Sequence, residues 1–164
     1  MDATCERLFL LAEKLELQGR DHLAWLARLR AARRGDSSAQ LNLGNMYSDG
    51  RGVRRSRSKA RYWLRKALRG GYAHAANNLG IVHMEGRRFF RAQHWLEKAV
   101  SAGDDDARLH LGLLYLALYV DTQGARAQFQ ALAVSDTACE AGTESARIWC
   151  AAVESMEALR DEAL

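Results

Sequence analysis

The sequence predicts an all-α protein built as a solenoid of helix-turn-helix repeats, and three observations carry that prediction. Glycines recur at Gly44, Gly80 and Gly112, spaced by 36 and then 32 residues. Each stands five residues after an alanine (Ala39, Ala75, Ala107), directly after a leucine (Leu43, Leu79, Leu111) and three residues before a ring (Tyr47, His83, Tyr115). A second set, Gly35, Gly71 and Gly103, runs nine residues ahead of the first. Self-similarity at this period marks a helical hairpin that cannot bury its apolar side alone, so successive copies stack into a shared core.

The elements follow in order. Leu8, Leu11 and Leu15 lie at helical spacing over residues 3–18, and Gly19 ends that helix. Asp21 is the expected N-cap of a helix over 21–34, with Gly35 beyond its end. Asp36 or Ser37 starts the next, which runs to about Ser48. The Gly50-Arg51-Gly52 loop turns the chain, and Ser56 or Ser58 caps a partner helix reaching about Arg69. The cycle repeats over 73–85, 89–102, 105–119 and 122–134. A last amphipathic helix is expected from about Glu144 to Arg160, with Ile148, Trp149, Ala152, Val153, Met156 and Leu159 on one side. It would cover the end of the array, whose apolar face is otherwise wet. The chain has no proline, so no helix loses a donor or meets a pyrrolidine ring. The mid-helix glycines cost about 1 kcal/mol each against alanine, which is expected where a neighbouring helix must come close. Ala67 and Ala99 have the same role on the facing helices, and Tyr47, Trp63, Trp95 and Tyr115 fill the space between pairs. The expected organisation is one domain over 1–164: an N-terminal partial repeat or cap (1–35), repeats at 36–71, 72–103 and 104–134, and a C-terminal cap helix (137–164).

The unit that repeats runs from Ala39 through Gly44, Tyr47 and Gly50 to Val53, then through Ala60, Trp63 and Ala67 to Gly70-Gly71. It resembles the Sel1-like repeat, a relative of the tetratricopeptide repeat. The second copy keeps Ala75, Gly80, Gly86, Ala92, Trp95, Ala99 and Gly103 but is four residues shorter between Gly86 and Ala92. The third begins at Ala107 and matches to Tyr115, and Ala24, Ala27, Ala31 and Gly35 mirror half a unit upstream. The resemblance covers about residues 24–133. It implies a right-handed α/α superhelix and an adaptor, chaperone-like or inhibitory role in bacteria. It also implies that the first helix of each pair lines the concave side. That register nominates Asn42, Asn45, Asn77, Asn78, Ile81, Leu109, His110 and Leu113 as partner-binding residues. Asparagine amides offer a donor and an acceptor together and can clamp an extended peptide backbone, or they can bond between helices.

Charge supplies the second nomination. Residues 1–100 carry 20 basic and 9 acidic groups, and residues 101–164 carry 4 and 11, which gives +11 against −7. Such a split points to electrostatic steering of a partner or to end-to-end self-association. The densest part is Arg51 to Arg69, with nine basic residues and no acid. Arg54, Arg55 and Arg57 lie in the turn, and Arg61, Arg65 and Arg69 form one stripe at i, i+4, i+8. The stretch reads as a patch for an acidic protein segment, as a solvated convex face, or as a nucleic-acid contact; no nucleic-acid motif accompanies it. Arginine outnumbers lysine 20 to 4, as in GC-rich bacterial coding sequences.

No catalytic constellation, cofactor motif or metal-ligand spacing is present. His83-Met84-Glu85 lacks the spacing that sets two histidines on one helix face, and Gly50-Arg51-Gly52-Val53 lacks the phosphate-loop pattern. Asp104-Asp105-Asp106 reads as the acidic start of a helix. No cofactor or metal is expected, and no enzyme. There is no run of about 18 apolar residues that would cross a membrane. The opening Met1 to Glu6 has no basic segment before an apolar one, so the expected compartment is the cytoplasm. Cys5, Cys139 and Cys150 fit reduced thiols there. Cys139 and Cys150 would pair only if the chain turns at Gly142, since one continuous helix would set them about 16 Å apart. The expected function is a non-enzymatic module that binds or sequesters one protein partner, such as an inhibitor or immunity protein for a toxin or effector. A secretion chaperone or regulatory adaptor, and a nucleic-acid-associated regulator using the basic stripe, are the alternatives.

Overall fold

The structure is a computed structural model that describes residues 3–119, 122–134 and 140–162. Among the described residues there are nine helices and no strand: α1 (Ala3–Leu17), α2 (Asp21–Arg33), α3 (Ser37–Asp49), α4 (Arg57–Arg69), α5 (Ala75–Glu85), α6 (Phe89–Ser101), α7 (Ala107–Tyr119), α8 (Thr122–Ala133) and α9 (Glu140–Glu162). The chain divides into two compact units, residues 1–87 and 88–164, so the boundary falls in the short turn between α5 and α6.

One helix ending recurs. At the end of α4, Gly71 has φ +94°, its N–H bonds the Leu68 carbonyl at 3.1 Å, and the Tyr72 N–H reaches back to the Ala67 carbonyl at 3.1 Å. The same pair of bonds closes α2 at Gly35 and α6 at Gly103. A left-handed residue placed there satisfies carbonyls that the helix itself cannot, and only glycine enters that region without a Cβ penalty. This is why the upstream glycine set keeps time with the repeat. The starts differ. Asp36 caps α3, its carboxylate accepting the Ala39 N–H at 2.6 Å, and Ser56 caps α4. Asp21 is instead the first residue of α2, behind Arg20. A turn through Tyr72 to His74 delays α5 to Ala75.

In unit 1, each helix packs on the next from α1 to α5, and α3 also meets α5. Leu43, Met46, Leu64 and Leu79 are fully buried, as are Ala60 and Ala67. A Cβ on Gly44 would lie 2.7 Å from Leu64 Cγ, so the glycine does mark a helix crossing. In unit 2, Phe129 and Leu132 of α8 pack with Ala146 and Val153 of α9, and a Cβ on Gly112 of α7 would overlap the Phe129 ring. His83 is completely buried in its ring position, and Tyr47 and Trp63 are buried as well.

The last helix starts at Glu140 and runs through Gly142, so the chain does not turn there; Cys139 lies outside the described residues, while Cys5 and Cys150 are free thiols. The inward stripe of α9 is Gly142, Ala146 and Val153, whereas Ile148 is 62% exposed. Small residues let α9 approach Phe129 closely and leave the bulkier Ile148 off that line. The side chains of Met156 and Leu159 lie outside the described residues.

Candidate interaction surfaces

The first surface lies in unit 1, between α3 and α5. The Asn78 amide donates from Nδ2 to Asn45 Oδ1 at 2.9 Å. Around this pair, Ser48, Asp49, Ile81 and Val82 complete a groove of about 200 Å³. The mutual bond uses one donor and one acceptor. Asn45 keeps its NH2 and Asn78 its carbonyl oxygen, the two groups an extended peptide bond requires. The two asparagines therefore bond between helices α3 and α5 and also line the groove.

The other nominated positions separate. Asn42 is half-buried on α3. Asn77 is buried, and its Oδ1 finds no hydrogen-bond partner, so it does not reach the groove surface. Leu109 and Leu113, on α7 of unit 2, are partly buried and pack against the Phe129 cluster. His110 is half-buried beside them. Desolvation lowers its pKa, opposed in part by the Asp106 backbone and the carboxylates of Asp104 and Asp106.

The basic stretch is more engaged than its sequence implies. Arg55 is not free to reach out: its Nε donates to the Ser48 carbonyl at the end of α3 at 2.6 Å, and its Nη2 meets Glu85 of α5 at 2.6 Å. Arg57 shares Glu85 at 3.8 Å, and Arg51 lies 3.9 Å from Glu16. Arg55 thus pins the loop between α3 and α4 to α5. Beneath that loop, the Gly52 carbonyl takes the His22 ring at 3.0 Å, and a Cβ on Gly52 would run into the Asp21 carbonyl. Arg61 is half-buried. Arg54, Arg65 and Arg69 are exposed and make no ion pair among the described residues.

Three features escape sequence reasoning. Arg28 is buried in α2, paired with Glu16 at 3.4 Å and set 4.5 Å over the Phe9 ring. Lys66 lies over Trp63 and Lys98 over Trp95, both at 5.3 Å, a cation–π contact repeated between copies. The signal for it was present, since both pairs sit three residues apart at the same point of the unit. Glu85 closes the Arg55 contact thirty residues away, which no local pattern announces.

Residues 37–72 and 73–104 match the Sel1 repeat, one residue offset from the units read above. Among solved structures, a Sel1 repeat protein from Oxalobacter formigenes is 27% identical with a TM-score of 0.69, over 92% of this chain and 62% of that one. A protective antigen of uropathogenic Escherichia coli strains displaying an SLR fold is 21% identical with a TM-score of 0.74, over 91% of this chain and 33% of that one. MamA is 21% identical with a TM-score of 0.70, over 99% of this chain and 87% of its own. No curated protein matches the chain significantly in sequence. The chain carries two Sel1 repeats in an all-helical, tetratricopeptide-like solenoid fold, a general scaffold for protein–protein interaction. It spans less than two thirds of the Oxalobacter protein's length. No described helix is long and apolar enough to cross a membrane.

Proposed function

We propose that the chain is a non-enzymatic module that holds one protein partner, gripping an extended segment between α3 and α5 and attracting it through the exposed arginines of α4 and the preceding loop. The observation that carries this reading is the Asn45–Asn78 pair, which lines a groove and whose mutual bond uses neither the Asn45 NH2 nor the Asn78 carbonyl oxygen. Arg54, Arg65 and Arg69 add uncompensated positive charge, which suits an acidic segment. The setting we favour is sequestration of a toxin or effector in the cytoplasm, as an inhibitor or immunity protein. That task needs one tight partner and no reaction. A secretion chaperone or adaptor would use the same surfaces, and an adjacent toxin gene or secretion operon separates the two.

The test is capture on the immobilised protein from its native host, followed by cross-linking mass spectrometry. One protein is expected, cross-linked through Lys59 or Lys66 of α4. Recovery of nucleic acid alone, or of cross-links confined to α9, would refute the assignment.

A further inference from the structure

A second surface lies at the N-terminal edge, on α1 and α2. Leu8, Leu11, Leu15, Leu23 and Leu26 line a groove of about 360 Å³, with Arg30 at its rim. Leu11 is 47% exposed and Leu26 38%. In a solenoid, each helix pair covers its apolar side with the next pair, and this side has no such cover among the described residues. Arg30, Arg33 and Arg34 stand exposed on α2 and its end. The opposite character belongs to α9. Its sequence holds Glu140, Glu144, Glu154, Glu157, Asp161 and Glu162 against two arginines; Glu154 and Glu157 share Arg126 of α8 and Glu144 meets Arg147, so the helix keeps a net negative charge in part through its remaining acids. It exposes Ile148 and Ala151 one turn apart, with Trp149 beside them. The same opposition holds for the whole units: residues 1–87 carry 17 basic and 8 acidic groups, net +9, and residues 88–164 carry 7 and 12, net −5.

We infer that the α1–α2 groove receives α9 of a second copy of this chain, so that copies join head to tail. The contact pairs an apolar groove, with Arg30 at its rim and Arg33 and Arg34 exposed further along α2 and at its end, with a helix of net negative charge carrying an exposed isoleucine. Two copies of the groove would instead set like charges against each other, which disfavours a symmetric groove-to-groove dimer. A contact between two different patches does not close unless its rotation closes a ring, so the assembly grows with concentration. Because exposed charges carry part of it, salt shortens it. This surface is separate from the groove between α3 and α5 and does not depend on the function proposed for that groove.

Two variants test the inference, with sedimentation velocity from about 5 to about 500 µM as readout. Leu11→Glu with Leu26→Glu removes the groove, and Ile148→Glu with Ala151→Glu removes the helix face. All four positions are exposed, so the helical circular dichroism of each variant should match the wild type. Wild-type mass should rise with concentration and fall with added salt. Each variant alone should stay monomeric. An equal mixture should form heterodimers and nothing larger, because each supplies the half the other lacks. Arg30→Glu with Arg33→Glu, which leaves the leucines intact, should also weaken association. A monomeric wild type throughout, a mixture that stays monomeric, or assembly lost in the groove variant but kept in the α9 variant would each overturn it.

Discussion

At the scale of single residues, two backbone positions carry predictions of opposite sign. Gly44 sits inside α3, where alanine would gain about 1 kcal/mol of helix propensity. Its missing Cβ, however, is the space that Leu64 occupies, 2.7 Å from where that atom would be. Leu64 is fully buried and has no room to retreat, so the clash outweighs propensity. Gly44→Ala should destabilise by about 1–3 kcal/mol in urea unfolding, and Gly112→Ala, facing Phe129, by a similar amount. A raised midpoint for either would show that the crossing yields. Arg87 is the reverse case. It holds φ +54°, the one left-handed non-glycine among the described residues, in the shortened turn of the second copy. An L side chain costs about 1–2 kcal/mol there, so Arg87→Gly should stabilise, by about 1 kcal/mol after the entropy of the added glycine is set against it. A lower melting temperature would mean that the arginine side chain contributes more than its backbone loses.

At the scale of elements, helix bounds were legible because glycine at the left-handed cap is a local requirement, met at Gly35, Gly71 and Gly103. The register of α9 was legible only in part: Val153 is buried as expected, but the rest of the inward face is Gly142 and Ala146, and a count of bulky apolar residues points at Ile148 instead. In the candidate site, Asn45, Asn78 and Ile81 were legible from the repeat register. The engagement of Arg55 was not, since its acceptors lie at Ser48 and across the repeat at Glu85. α7 offers a pH test of its packing. Burial disfavours the charged imidazolium of His110 and lowers its pKa. A base whose folded pKa lies below its unfolded value of about 6.5 takes up its proton more readily when unfolded. The stability it contributes is therefore full above about pH 6.5 and is lost as pH falls through that value. The urea midpoint should drop between about pH 7.5 and about pH 5.5, and His110→Asn should shrink that drop. An equal drop in the variant would assign it to other groups.

At the scale of the whole molecule, steering and gripping belong to different residues, and kinetics can tell them apart. Charges that stay exposed act on the encounter, through fields that reach about a Debye length, and salt screens them. Groups that bond the partner in a groove act on the lifetime of the complex. Arg54 and Arg65 are of the first kind, being exposed and without an ion pair among the described residues. Arg55 would confound such a test, because its guanidinium ties the end of α3 to α5, and its loss would loosen the groove itself. With a verified partner, Arg54→Glu and Arg65→Glu together should slow association by about tenfold at low salt and flatten its salt dependence, leaving dissociation nearly unchanged. Asn45→Ala with Asn78→Ala should leave association alone and speed dissociation, since a hydrogen bond lost in a groove costs about 0.5–1.5 kcal/mol. The two pairs share no partner, so combining them should add within about 0.5 kcal/mol. Arg55→Ala serves as the control: it should lower the melting temperature and then, through the loosened groove, the lifetime. If the asparagine pair changes neither rate, the partner does not lie in this groove. If the arginine pair changes dissociation as strongly as association, those side chains sit inside the interface and not at its approach.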